Sequence, residues 1–180
     1  MEALNWTEME LDAIKIGPMT KINFGGETDK KTMHTSTFHL INKNNELLEE
    51  FLADTSNPKS PNYGKHLTME QVHELTSDKE GMALIQRYLS EHNVPITKQT
   101  HSSITVEANI GTWELLLHTT FYDIPDPRNP ALTVPLAKSY FLPDIIAPHV
   151  STVSNTIQPP IVVSRGPAKR QSPAVDSNTH

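Results

Sequence analysis

The stretch Ser103-Ile104-Thr105-Val106-Glu107-Ala108-Asn109-Ile110-Gly111-Thr112-Trp113-Glu114-Leu115-Leu116-Leu117 changes its period partway along. Up to Ala108, Ile104 and Val106 point one way and Ser103, Thr105 and Glu107 the other, the two-residue repeat of a half-buried strand. From Asn109, a residue type that caps helices, Trp113, Leu116 and Leu117 fall on one side at helical spacing. A strand handing over directly to a short helix points to mixed α and β structure.

Working upstream, the β pattern begins at Ile96, and Pro95 disfavours a helical residue before it, so a preceding helix ends near Asn93. Two helix starts are predicted before that. Thr68 with Gln71 fits a capping box ahead of Val72 and Leu75, and Ser77 with Glu80 fits another ahead of Met82, Ile85 and Leu89. Residues 55–65 are loop chemistry, because their prolines fix φ and their Asn and Gly tolerate turns. Residues 44–53 form an amphipathic helix, with Leu47, Leu48, Phe51 and Leu52 on one side and Glu46, Glu49 and Glu50 on the other. Residues 33–40 are Thr-rich with an apolar end and are predicted as a strand. In residues 1–31, Gly17-Pro18 and Gly25-Gly26 interrupt any period, and this stretch is predicted as a poorly ordered lead-in.

Downstream, Pro125, Pro127, Pro130 and Pro135 lack the amide hydrogen a central strand must donate, so residues 123–135 are expected to be a loop. Residues 139–142 read as an edge strand stopped at Pro143, and 149–156 as a last extended piece. From 158 to 180 the composition is that of a linker or tail. The expected division is a lead-in over 1–31, a domain over 32–157 and a linker over 158–180. Its order of elements predicts a small two-layer α+β sandwich, a largely antiparallel sheet with helices on one face.

Composition narrows the function. The chain has 180 residues, enough for one modest domain. It has no cysteine, which removes disulfides, thiolate zinc sites, iron–sulfur ligation and Cys nucleophiles. With 15 Lys and Arg against 21 Asp and Glu, the formal charge is −6, the wrong sign for a nucleic-acid partner. No apolar run approaches the roughly 20 residues of a membrane span, and the start, Met1-Glu2-Ala3-Leu4-Asn5-Trp6, lacks the form of a signal peptide.

His73-Glu74 has no second His at helical spacing, and His34 and His39 lie on opposite faces of a strand, so neither a metal nor a cofactor is expected. There is no Gly-x-Ser-x-Gly elbow and no Gly-rich phosphate loop; a Ser, His and acid set gathered from distant positions stays open. Asn5-Trp6-Thr7 is a glycosylation sequon, meaningful in a secreted chain. Protonating all nine histidines would carry the formal charge from −6 to +3. Two readings of them stand: scattered surface residues, or a charge switch on acidification.

Ser56-Asn57-Pro58-Lys59-Ser60-Pro61-Asn62-Tyr63-Gly64-Lys65-His66-Leu67-Thr68 closely resembles a stretch in the activation propeptide of sedolisin-type serine peptidases, the group that includes kumamolisins and the lysosomal tripeptidyl-peptidase. Around it, Phe38-His39-Leu40, Tyr88-Leu89, Glu114-Leu115-Leu116-Leu117 and Tyr140-Phe141-Leu142-Pro143 follow in that family's order, so the resemblance covers about residues 33–156. It implies a ferredoxin-like propeptide that helps an adjoining peptidase domain fold, blocks its active site and is cut off autocatalytically at acid pH.

The residues carried over are Ser56, Pro58, Ser60, Pro61, Tyr63, Gly64, Lys65 and Leu67 in the signature loop, and Leu142, Pro143, His149 and Val150 in a motif leading into the linker. Nothing here matches the family's Ser-Gly-Thr-Ser catalytic motif, so no catalytic residue is expected in this chain. The implied partner is a sedolisin-type peptidase domain, in cis as its propeptide or in trans as the target of a free-standing inhibitor, bound by a monomer. The implied setting is secreted, lysosomal or vacuolar. Lys169-Arg170 offers a dibasic processing site, or is an ordinary solvated pair.

Overall fold

A computed structural model describes residues 5–9, 24–126 and 129–157. Strand β2 (Met33–Leu40) lies at the centre of a four-stranded antiparallel sheet and pairs with β4 (Ser103–Asn109) on one side and β8 (Val150–Ser154) on the other. β3 (Ile96–Gln99) adds outside β4, giving the order β3-β4-β2-β8. Between β2 and β3 come helices α1 (Asn45–Ser56), α2 (Met69–Thr76) and α3 (Lys79–Glu91), and α4 (Ile110–Leu116) follows β4 directly. The β-α-β-β-α-β order with the first strand central is the split βαβ arrangement.

Helices α3 and α4 lie on one face. The period-2 residues Phe38, Leu40, Ile104, Val106 and Ala108, with Val150 and Val153 of β8 set three apart by an irregularity in its pairing, join Ile85 and Leu89 of α3 and Trp113 and Leu116 of α4 in one buried cluster. Full burial of each large apolar side chain is worth about 1.5–3 kcal/mol. Asn109 caps α4 as expected, its side chain accepting from the Thr112 N–H at 2.8 Å. The Thr68–Gln71 capping box closes in both directions, at 3.3 and 2.9 Å.

Three expectations are corrected. First, residues 123–135 are not a loop: β5 (Phe121–Asp126) and β6 (Asn129–Ala137) form a two-stranded ribbon. Asp123 turns its N–H and C=O outward to Gly26 and Gly25, and Pro135 lies opposite it. Pro125, two residues on, takes the same outward position. In a ribbon that position needs no ladder donor, so these prolines cost nothing there. Second, within the expected lead-in, β1 (Trp6–Met9) pairs with β7 (Tyr140–Pro143), and Glu27 forms a bridge with Tyr122.

Third, α3 is capped by Asp78 and not by Ser77. The Asp78 carboxylate accepts from the Gly81 N–H at 3.0 Å, while the Ser77 hydroxyl donates back to the His73 carbonyl and closes α2. The apolar side of α1 is only partly covered, with Leu48 and Phe51 half-buried. Leu47 and Leu52 stay exposed, and Thr55 is the one buried residue of the helix.

Candidate interaction site

The signature loop is shaped from within. Asp54, in the last turn of α1, accepts from Ser60 Oγ at 2.5 Å and Asn62 Nδ2 at 2.8 Å. The Ser60 bond, then the Asn62 bond, with Lys65 adding its charge, hold the Asp54 carboxyl below its ordinary range. Ser60 Oγ also accepts from the Asn62 N–H, and Asn57 Oδ1 from the Lys59 N–H, each at 3.0 Å. Gly64 sits at φ +76°, the left-handed region, and from there its N–H reaches the Thr55 carbonyl at 2.9 Å.

This network leaves much of the loop's side-chain surface turned outward. Pro58, Pro61, Tyr63, Lys65 and His66 are exposed, Tyr63 at 58%, as is Ser56 at the end of α1. Leu67 turns inward to a groove of about 510 Å³ between α1 and α2, lined also by Leu47, Phe51, Gln71 and Leu75.

The linker-proximal motif meets the start of α3. Leu142, Pro143 and Val150 are buried. His149, in a 3₁₀ turn (Ala147–His149), donates from Nδ1 to Asp78 Oδ2 at 2.7 Å. Lys43 Nζ approaches the same oxygen at 3.3 Å. Burial pushes the Asp78 carboxyl up, but the Gly81 N–H, His149 and Lys43 outweigh it and leave the group below its ordinary range. Gly81 makes room for the contact, since a Cβ there would lie 2.6 Å from the His149 Cβ. Asp78, Lys43 and Gly81 escaped the sequence reading; Asp78 pairs with a residue 71 positions away, and no local pattern encodes that.

The face of the sheet opposite the helices is lined by short polar side chains. Thr35, Thr37 and His39 of β2 stand beside Ser103, Thr105 and Glu107 of β4 and Thr152 and Ser154 of β8. None of these eight is buried. They bond to each other, as Thr37 Oγ1 to Thr105 Oγ1 at 3.0 Å and His39 Nε2 to Ser154 Oγ at 3.2 Å, so the surface is flat and polar.

Asn5 is exposed beside β1, and Thr7 of the sequon donates to Asp144 Oδ1 at 2.6 Å. Lys169 and Arg170 lie outside the described residues. Among the described residues, no group of three or more His, Cys, Asp or Glu side chains gathers as metal ligands, and no helix is long and apolar enough to cross a membrane.

The family profile described as "Pro-kumamolisin, activation domain" matches residues 20–158. Mouse tripeptidyl-peptidase 1 is 31% identical over 136 residues, which make up 71% of this chain and 24% of that protein. Physarolisin of Physarum polycephalum is 27% identical over 139 residues, 76% of this chain and 24% of that protein. A probable tripeptidyl-peptidase SED3 of Trichophyton verrucosum is 29% identical over 117 residues, 63% of this chain and 20% of that protein. The chain therefore spans about a quarter or less of the length of these curated relatives.

Proposed function

Because the chain belongs to the pro-kumamolisin activation-domain family, we propose that it works as the propeptide of a sedolisin-type serine peptidase, helping the adjoining peptidase domain fold and inhibiting it until acid-triggered removal. In this reading the chain performs no catalysis. The observation that carries it is the polar sheet face. Eight side chains of three adjacent strands form a flat surface that no described helix or strand covers, while the opposite face is filled by α3 and α4.

A surface of this kind suits docking on a folded partner. Its short hydroxyls lose little side-chain entropy on burial and can exchange their bonds with each other for bonds across an interface. The docked propeptide stabilises the folded enzyme by mass action, and a covalent linker raises its effective concentration. Residues 158–170 would be the segment that reaches past the cleft. The same face serves the second reading, an inhibitor acting in trans, which the chain's own buried core favours because the domain has an apolar interior independent of any partner.

The test is to incubate the purified chain with an acid-active sedolisin-type peptidase and a peptide substrate. Slowed hydrolysis at near-neutral pH, relieved on acidification, is expected. Hydrolysis unaffected at every pH would refute both readings.

A further inference from the structure

Strand β8 is held at its two ends by histidines in opposite surroundings. At its start, His149 faces the Asp78 carboxylate at 2.7 Å, and the His149 carbonyl accepts from the Ile41 N–H at 2.9 Å. At its far end, His34 Nε2 lies 2.8 Å from the carbonyl oxygen of Asn155, which turns the chain at φ +62°. A carbonyl only accepts, so Nε2 carries the hydrogen and a second proton must go to Nδ1. The His34 ring sits among aromatics, its centroid 5.5 Å from Phe121 and 6.5 Å from Trp113, whose indole N–H donates to the His34 carbonyl at 3.0 Å.

Among the described residues no compensating charge faces His34. From β4 its partner is Ala108, whereas Glu107 pairs with Thr35 and belongs to the opposite face of the sheet. Within α4, Glu114 is taken by Lys30 Nζ at 3.5 Å and by the Phe121 N–H at 3.1 Å. From the β8 side come Ser154 and Asn155, both uncharged. Among the described residues no carboxylate is in ion-pair reach of the ring, and burial holds its pKa below the ordinary 6.5 against the opposing bond to Asn155. The same end also holds unmet polar groups: Ser36 Oγ, two residues along β2, and Thr156 Oγ1, next to Asn155, are buried without a hydrogen-bond partner.

We propose that β8 is a polarised acid-responsive strand: protonating His34 loosens residues 155–157, where the chain leaves the sheet, while the His149–Asp78 clasp keeps the start of the strand in place. A histidine whose folded state disfavours the proton contributes stability that is complete above about pH 6.5 and falls away as the pH drops below it. As a step in propeptide release this rests on the function proposed above, but the strand's response belongs to this chain alone.

Two amides report on the two ends. Ala137 N–H donates to the Thr156 carbonyl at 2.7 Å, and Ile41 N–H to that of His149. Hydrogen exchange on the full 180-residue chain at about pH 7.5 and about pH 5.5, expressed as protection factors, should show Ala137 losing at least about fivefold while Ile41 stays within about twofold. His34→Gln, which keeps a donor for Asn155 and cannot charge, should abolish the Ala137 change. If that variant fails to fold, NMR titration of the His34 ring in the unaltered chain should give a midpoint coinciding with the loss of Ala137 protection. Protection at Ala137 that does not change, that falls equally in folded His34→Gln, or that falls at a different midpoint overturns the proposal. A chain that shows this response and yet inhibits no peptidase would overturn the propeptide reading and leave this one standing.

Discussion

Residues 44–76 and the sheet with α3 and α4 are held together by different means. In the sheet body, apolar side chains from β2, β4 and β8 and from helices α3 and α4 meet in one cluster, with Trp113, Tyr140 and Phe38 fully buried. In the α1–loop–α2 unit, the buried side chains are Thr55 and Thr76, and Leu47, Tyr63 and Met69 are exposed at 52%, 58% and 70%. That unit owes its shape to caps, turns and side-chain bonds: the Thr68–Gln71 box, the Asp54 network, Gly64 and the Asn44 Nδ2 bond to the Leu75 carbonyl. The difference separates what makes the domain stable from what makes it presentable: burial sets the first, and local polar chemistry the second.

The comparison can be tested by substitution, beginning in the body. Trp113→Ala should cost about 3–5 kcal/mol of unfolding free energy in denaturant titration, enough to threaten the fold, because it empties the largest buried site and strands the His34 carbonyl. Asp78→Ala should cost about 2–3 kcal/mol, since it removes the α3 cap and leaves His149 and Lys43 without their carboxylate.

Asp78 also sets a pH dependence. Its folded pKa is depressed, so its contribution is complete above the ordinary value of 3.8 and is lost as the pH falls below that. Thermal unfolding of the wild type against Asp78→Asn should therefore show a stability gap at pH 6 that closes only in strong acid. A gap already closed at about pH 5 would mean the clasp carries no charge of consequence.

In the α1–loop–α2 unit the effects should be smaller and more local. Gly64→Ala, forced to hold φ +76°, and Thr68→Ala, stripped of the capping box, should each cost about 1 kcal/mol. Both should raise amide exchange in residues 55–68 well before they move the global midpoint. Leu47→Ser should change stability by less than about 0.5 kcal/mol, because its side chain is already half in water. A loss above about 2 kcal/mol there would show that the α1 groove is part of the core after all.

What could be read in the sequence follows the same division. Strand β2, the Asn109 cap, the Thr68 box and the buried side of α4 are written in local patterns, and the structure has them where those patterns lie. The ribbon β5–β6 was hidden because proline argues against a central strand, and only the pairing shows that Pro125 and Pro135 sit where no donor is needed. The Asp78 cap was displaced by one position because Ser77 fits the same local pattern, and the choice between them rests on distant His149 and Lys43. Periodicity identified the apolar side of α1 without showing whether anything covers it. The signature loop was recognisable as a motif, but that its tyrosine and prolines stand outward on a rigid frame is visible only in three dimensions.

The central claim is that the flat polar face of the sheet is the surface on which a peptidase domain is held inactive. The direct measurement is the inhibition constant of the chain against a sedolisin-type peptidase at near-neutral pH, for the wild type and for Thr37→Arg with Thr105→Arg, two neighbouring positions at the middle of that face. The account predicts at least about a hundredfold weaker inhibition by the double variant, with its thermal midpoint little changed. Inhibition of equal strength by both proteins would contradict it.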